Sequence, residues 1–389
     1  MRLRLAGPAL AFALVATACS SETRGGSTVR DLPGPSQEIE EPYSLVTSVR
    51  EAGQGLVVVV DGLDGDVSSV NFASGERNPV GRQGSGPGEY RAPGAVFRVH
   101  GDTIWVLDAA QQRITTFLPD LSAGIPFRMP LFDAESMTAS MAPFHTDDAG
   151  LVYSNALPVS GGQGMQIPDS VEVVRFDPRA DGERAVLAKL RFPTSGTPEM
   201  HVEGTVIKYK MEFPGLVTAD SWAVFPDGRL AIVHGADYSV EFVSANGERS
   251  AAHPIAYERI SVSPADQDAE MAEARRQLAE QTKAAQRTLP AGVSIEIDMP
   301  PPETWPSEYP AISPLQAFAA PDGMLWVRRA VPVRLDRERW DVIDPNGMLV
   351  ARWQLPMRTK LVGVGAGVAY TVRLDDDDLQ HLQRVQLGG

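Results

Sequence analysis

One stretch constrains this chain more than any other: Gly81 to Phe117, GRQGSGPGEYRAPGAVFRVHGDTIWVLDAAQQRITTF. A Gly-rich loop opens it. Ala95 to Val99 follows, rich in β-branched and aromatic residues, then the turn signal His100-Gly101-Asp102. Thr103 to Leu107 is an apolar strand run ending at Asp108, and Arg113 to Phe117 alternates after a polar link. Short strands separated by Gly and Asp turns predict an antiparallel meander. A lone meander leaves two open edges and buries little, so it must repeat, close or stack.

It repeats. Equivalent second strands begin at Leu56 (LVVVV), Thr103 (TIWVL), Leu151 (LVYSN), Leu230 (LAIVH), Leu325 (LWVRR) and Val368 (VAYTV). Asp227-Gly228 and Asp322-Gly323 supply tight turns before such strands. Ser74-Gly75-Glu76, Asp181-Gly182-Glu183, Asn246-Gly247-Glu248 and Asn346-Gly347 supply later ones. These dipeptides suit the positive φ of tight hairpins. Successive starts are 47, 48, 79, 95 and 43 residues apart. Three of these match the roughly 40–50 residues of a propeller blade, and the two long intervals call for insertions. The expectation is an all-β, six-bladed β-propeller over residues 43–389. Trp105 and Trp326 fall at equivalent places and are expected to pack between blades.

The words GSGPGEY, P-G-A, D-T-I-W-V-L-D and Q-R-I-T-T-F resemble the NHL-related six-bladed propeller family of bacterial lipoproteins. The resemblance spans Ser44 to Leu387 as an architecture and is specific from Gly81 to Phe117. It implies a fold rather than a particular chemistry.

Residues 1–18 have the pattern of an export signal: Arg2 and Arg4, then the apolar run Leu5 to Val15, too short to span a bilayer. Ala16-Thr17-Ala18-Cys19 resembles a lipobox, which makes Cys19 the lipidation site. Cys19 is the only cysteine in the chain. The alternative is an ordinary cleaved signal with an incidental thiol. Two or three acyl chains, palmitate among them, hold a membrane stably where one is marginal. Ser20 after the cysteine points to the outer membrane by resemblance to enterobacterial sorting. The expected place is the bacterial cell envelope, lipid-anchored and facing the periplasm or the surface. Residues 19–42 form the anchor and a flexible tether. The last blade lacks an outer strand of its own, so a segment near Thr28 to Leu32 is predicted to supply it.

One helix is expected. Ser263-Pro264-Ala265-Asp266 is an N-cap signature, and strong helix formers run to Arg287. Met271, Ala274, Leu278 and Ala285 make a narrow apolar stripe, and Arg276 and Glu280 an i,i+4 pair. This helical insertion, about 263–310, is either a lid or docking element, or a surface insertion packed on a blade.

The formal net charge of −15 disfavours nucleic acid and anionic lipid as direct partners. No two of the six histidines stand at metal-ligand spacing, and no Gly-x-Ser-x-Gly is present. The loop Gly84–Glu89 lacks the Lys-Ser/Thr ending and following helix of a phosphate loop, and Pro87 removes a donor. It is expected to be a blade-to-blade crossing. Arg82, Glu89, Tyr90 and Arg91 are candidates for a ligand-facing patch; the alternative is that Arg82 and Glu89 hold the loop. Asp108 and Arg113 are expected to be a structural pair, and Asp375 to Asp378 a solvated turn rather than a calcium loop. No catalytic constellation or metal set emerges, and the cofactor is unknown. The function expected is a monomeric binding module for a protein, peptide or glycan. The alternative, by fold analogy, is a metal-dependent propeller hydrolase or lyase, lactonase-like.

Overall fold

The computed structural model describes residues 28–159, 168–180, 184–193, 199–213, 215–251, 254–286 and 292–388. The export signal, Cys19, the tether up to residue 27 and the turn at 181–183 lie outside the described residues.

The fold is an all-β propeller. Six sheets have four or five strands, and each places one predicted apolar run directly beside its inner strand. The first holds Val46–Glu51, Leu56–Asp61, Asp66–Asn71 and Glu76–Pro79. The second holds Pro93–Val99, Thr103–Asp108, Arg113–Phe117 and Phe127–Arg128. The inner strands of the other four are Thr138–Thr146, Ser221–Val224, Ile312–Ala319 and Thr359–Gly365. These six inner strands neighbour one another in a closed cycle around a central channel. Their second strands are buried on both faces, which is why Leu56–Asp61 and Thr103–Asp108 carry continuous apolar runs rather than alternation. Trp105 and Trp326 are buried in separate clusters between sheets, as their equivalence implied. The hairpin glycines behave as the dipeptides required: Gly228 sits at φ 80° and Gly323 at φ 86°.

Ring closure departs from expectation. Val29–Asp31 lies parallel against Leu349–Gln354 as a fifth strand of the fifth sheet. The missing outer strand of the last sheet is Gln37–Glu38, antiparallel to Gln380–Gln386. The predicted segment therefore sits one sheet away, and the polar stretch expected to be a tether is hydrogen-bonded from Val29 onward. The selecting force is apolar. Leu32, Ile39 and Tyr43 are the buried side chains of this stretch, and Ile39 and Tyr43 enter the cluster shared by the first and last sheets. Tyr43 and Gln380 then exchange both backbone hydrogen bonds at 2.8 Å.

Each inner strand begins at one end of the ring, the start face, and finishes at the other, the end face. Crossings from an outer strand to the next inner strand fall at the start face. Both insertions are such crossings. Glu199–Glu203 pairs antiparallel with Val206–Lys210, which pairs parallel with Ser294–Asp298 of the second insertion. The helix Pro264–Gln286 is capped as its sequence requires: the Asp266 amide donates to Ser263 Oγ at 3.2 Å, and the Ser263 amide to Asp266 Oδ2 at 3.0 Å. Asp266 also meets Arg334 on the fifth sheet's loop. Met271 packs with Phe213 and Met299, with Ala274, Leu278 and Trp305 around them. The stripe thus covers the insertion's own sheet. Arg276 pairs with Glu273; the side chain of Glu280, its predicted i,i+4 partner, lies outside the described residues.

Truncating a buried aliphatic side chain in a core costs about 2–5 kcal/mol, or about 3–7 °C in a domain of this size. Ile39→Ala is expected to lower the melting temperature by that amount. Val29→Ala, at an exposed position, is expected to leave it within about 2 °C. Circular dichroism melts that rank the two the other way would move the closure back to the earlier segment.

Candidate functional site

The Gly84–Glu89 loop is held from within. Glu89 accepts from the amides of Ser85 at 2.9 Å and Gly86 at 2.7 Å, and from Arg82 Nε at 2.8 Å. The Gly86 amide, then Arg82, hold its carboxyl below the usual carboxylate range. Arg91 Nε donates to Ser85 Oγ at 3.1 Å. Tyr90 is buried; its hydroxyl donates to the Val80 carbonyl at 3.0 Å and accepts from the Val67 amide at 3.1 Å. All four candidate ligand-facing residues are thus engaged in the crossing. Arg113 adds bonds to the carbonyls of Ser85 at 2.8 Å and Glu89 at 2.7 Å. Asp108, fully buried, accepts from the amides of Arg91 at 3.0 Å and Ala92 at 3.2 Å. In the first sheet Asp61 does the same for Ser44 at 2.7 Å and Leu45 at 3.1 Å. The acid ending each of these second strands therefore pins the chain just before its inner strand. Asp375 likewise serves its own turn, accepting from Asp377 at 3.0 Å and Leu379 at 2.9 Å.

The concave site lies at the other end of the channel. There the last residues of all six inner strands converge around a cavity with about 750 Å³ of empty space continuous with solvent. Its lining includes Arg50, Glu51, Arg98, His145 and Asp148, with Phe97, Val224, Pro226, Phe318, Pro321 and Val364 as apolar wall. Strand rise puts this mouth about 17 Å from the start of Pro93–Val99, where the Gly-rich loop enters. Helix and insertions stand at the start face, so the helix does not roof this mouth.

Most polar groups here already have partners. Arg98 Nε donates to Asp102 at 2.8 Å, and the Tyr370 hydroxyl to Glu51 at 2.8 Å. Burial, reinforced by Glu51, pushes the Tyr370 hydroxyl's pKa up. Two groups stand apart. Arg50 has one side-chain bond among the described residues, from Nη1 to the Val49 carbonyl at 2.8 Å. His145 Nε2 is buried without a partner. Its ring packs on Trp222 at 4.8 Å, and Trp222 Nε1 is fixed by Asn155 at 3.0 Å. Burial, with the Arg50 charge added, holds the His145 pKa down at about 3. Neither residue belongs to a sequence motif. Only the ring, by bringing strand ends 95 residues apart together, makes them neighbours.

Among the described residues no three His, Cys, Asp or Glu side chains converge as metal ligands. The donor set at the mouth does not fit the metal that a lactonase-like reading requires.

No family model matches the chain, and no curated protein sequence matches it. Among solved structures it is similar to a member of the DUF4221 family from Bacteroides vulgatus at 10% identity, covering 90% of this chain and 94% of that one, TM-score 0.48. It is also similar to a calcium-binding protein, regucalcin, from Agrobacterium tumefaciens (12%, 93% and 97%, TM-score 0.40). A third likeness is to virginiamycin B lyase from Staphylococcus aureus (9%, 91% and 87%, TM-score 0.37). No residue or activity is carried across at these values.

His145 gives a pH dependence with a definite sign. It is neutral in the fold but takes up a proton in the unfolded chain below its ordinary value of 6.5. The unfolded state then binds more protons, so stability falls as pH drops from 6.5 towards about 3. The loss reaches ~3 kcal/mol by pH 4. His145→Gln is expected to flatten the fall in melting temperature between pH 6.5 and 4 relative to wild type. Parallel profiles would show that the imidazole is charged in the fold.

Proposed function

We propose that the chain is a lipid-anchored, extracytoplasmic binding module, a six-bladed propeller of the NHL-related kind, taking its ligand in the end-face mouth of its channel. The observation carrying this reading is the mouth itself: a cavity where six strand ends meet, lined by an arginine with donors to spare and by an imidazole packed on Trp222. Concave sites with mostly apolar walls and few converging polar groups are the usual form of small-molecule sites. The start face, by contrast, spends its polar groups on its own crossings. Anchoring rests on Cys19, the one thiol, placed where a lipobox needs it.

Two measurements test this. A small-molecule library scanned by melting temperature should yield compounds that stabilise the wild-type chain but not Ala319→Trp or Val364→Trp, each of which fills the mouth. Stabilisation that survives both plugs places the ligand elsewhere. For the anchor, cells fed an alkynyl palmitate analogue should label the wild-type chain and not Cys19→Ser. Equal labelling of the two removes the lipoprotein assignment.

A further inference from the structure

The polar arrangement of the mouth narrows what it can hold, on the reading that the mouth is the ligand site. A guanidinium carries five N–H donors in a planar fork. Arg50 spends one on the Val49 carbonyl, and no carboxylate forms an ion pair with it among the described residues. A partly buried cation in this condition costs stability until an acceptor meets it. Two of the nearby acids are held elsewhere. Glu51, the next residue along, is turned onto the Tyr370 hydroxyl at 2.8 Å. Gly365 makes room for that placement, since a Cβ there would fall 2.1 Å from Glu51 Oε1. Asp102 is taken by Arg98 at 2.5 Å. Among the described residues the Val49 carbonyl is the one acceptor bonded to the Arg50 side chain, which leaves donors for an acceptor from outside the chain.

Charge and shape select among acceptors. Glu51 and Asp148 line the same cavity as Arg50, and Arg98 is already neutralised by Asp102. A dianion such as a phosphate ester would meet two carboxylates for one free cation, whereas a monoanion would not. A carboxylate also matches the guanidinium fork with two parallel bonds. Apart from His145 and Thr146, the rest of the lining is apolar, with Phe97, Val224, Pro226, Phe318, Pro321 and Val364 forming a wall beside the charged groups. We infer that the end-face mouth binds a monocarboxylate with an apolar body, its carboxylate forked onto Arg50 and its body against the apolar wall. The same group occurs on a free organic acid and on the C-terminus of a peptide ending in an apolar residue.

Titration calorimetry on the full chain tests it, with phenylacetate for the free acid and N-acetylphenylalanine for the chain end, each against its amide. Each acid is expected to bind about 10–100-fold more tightly than its amide, the usual span for a charge-assisted pair. That gap should collapse in Arg50→Gln and be only partly kept in Arg50→Lys, which has the charge without the fork. The tighter of the two acids identifies the source. Without ligand, Arg50→Gln should melt no lower than wild type, since it removes an unmet charge. Acid and amide binding alike, unchanged acid binding in Arg50→Gln, or no binding by either acid overturns the inference. The outcomes separate it from the reading beneath it. Acid and amide that bind equally but are both lost in Val364→Trp sink the carboxylate and keep the mouth, whereas binding indifferent to Val364→Trp sinks both.

Discussion

The architecture depends on one short antiparallel pairing. Gln37 and Glu38 lie against Arg384 and Gln383, and Tyr43 and Gln380 exchange backbone bonds beside them. Without that contact the last sheet has three strands and an open outer edge, and the first and last sheets lose the segment that joins them through the backbone. The side chains reinforce the join. Val46 donates its amide to the Gln380 amide oxygen at 2.9 Å, and Arg373 forks onto Glu38. Ile39 and Tyr43 then close an apolar cluster drawn from both sheets. A ring with no disulfide relies on such burial for its closure, and about 25 cal/mol per Å² of apolar surface removed from water is the driving term.

The two faces of the ring use polar chemistry differently. At the start face, Asp61 and Asp108 each give a buried carboxylate to two backbone amides at the foot of an inner strand. Glu89 and Arg113 do the same work for the Gly-rich crossing. These acids and arginines are spent on structure. At the end face the strands simply finish in tight turns, and the turns ask little of the side chains around them. Arg50 there keeps donors that no described residue meets.

Sheet content was legible because burial on both faces writes itself into composition: LVVVV and TIWVL can hardly be anything but central strands. The tight turns were legible for the same local reason, as Gly228 and Gly323 show. The closure strand was misplaced because two residues, Gln37 and Glu38, carry no periodicity, and the informative signal was the single apolar Ile39 after them. The helix cap was plain in Ser263-Pro264-Ala265-Asp266, but what the stripe of Met271 and Leu278 packs on was not, since its partners Phe213 and Met299 come from two separate insertions. The mouth was the least legible feature. The Gly-rich loop drew attention by its motif, and its polar residues proved to be its own fastenings. Arg50 is one charged residue at the end of an ordinary strand, and only the missing partner distinguishes it.

The closing strand also sets an order of events. Glu38 meets Gln383, 345 positions further along the chain, so the ring has no complete form until both of its ends are present. Loop-closure entropy rises only slowly with length, but the contact cannot form early at any cost. Until then the first sheet lacks its neighbour on one side, and Val49 and Val59, which the closed ring buries, have no cover. Closure is thus a long-range step laid over sheets built from adjacent strands, and until it happens the apolar side of the first sheet stays open.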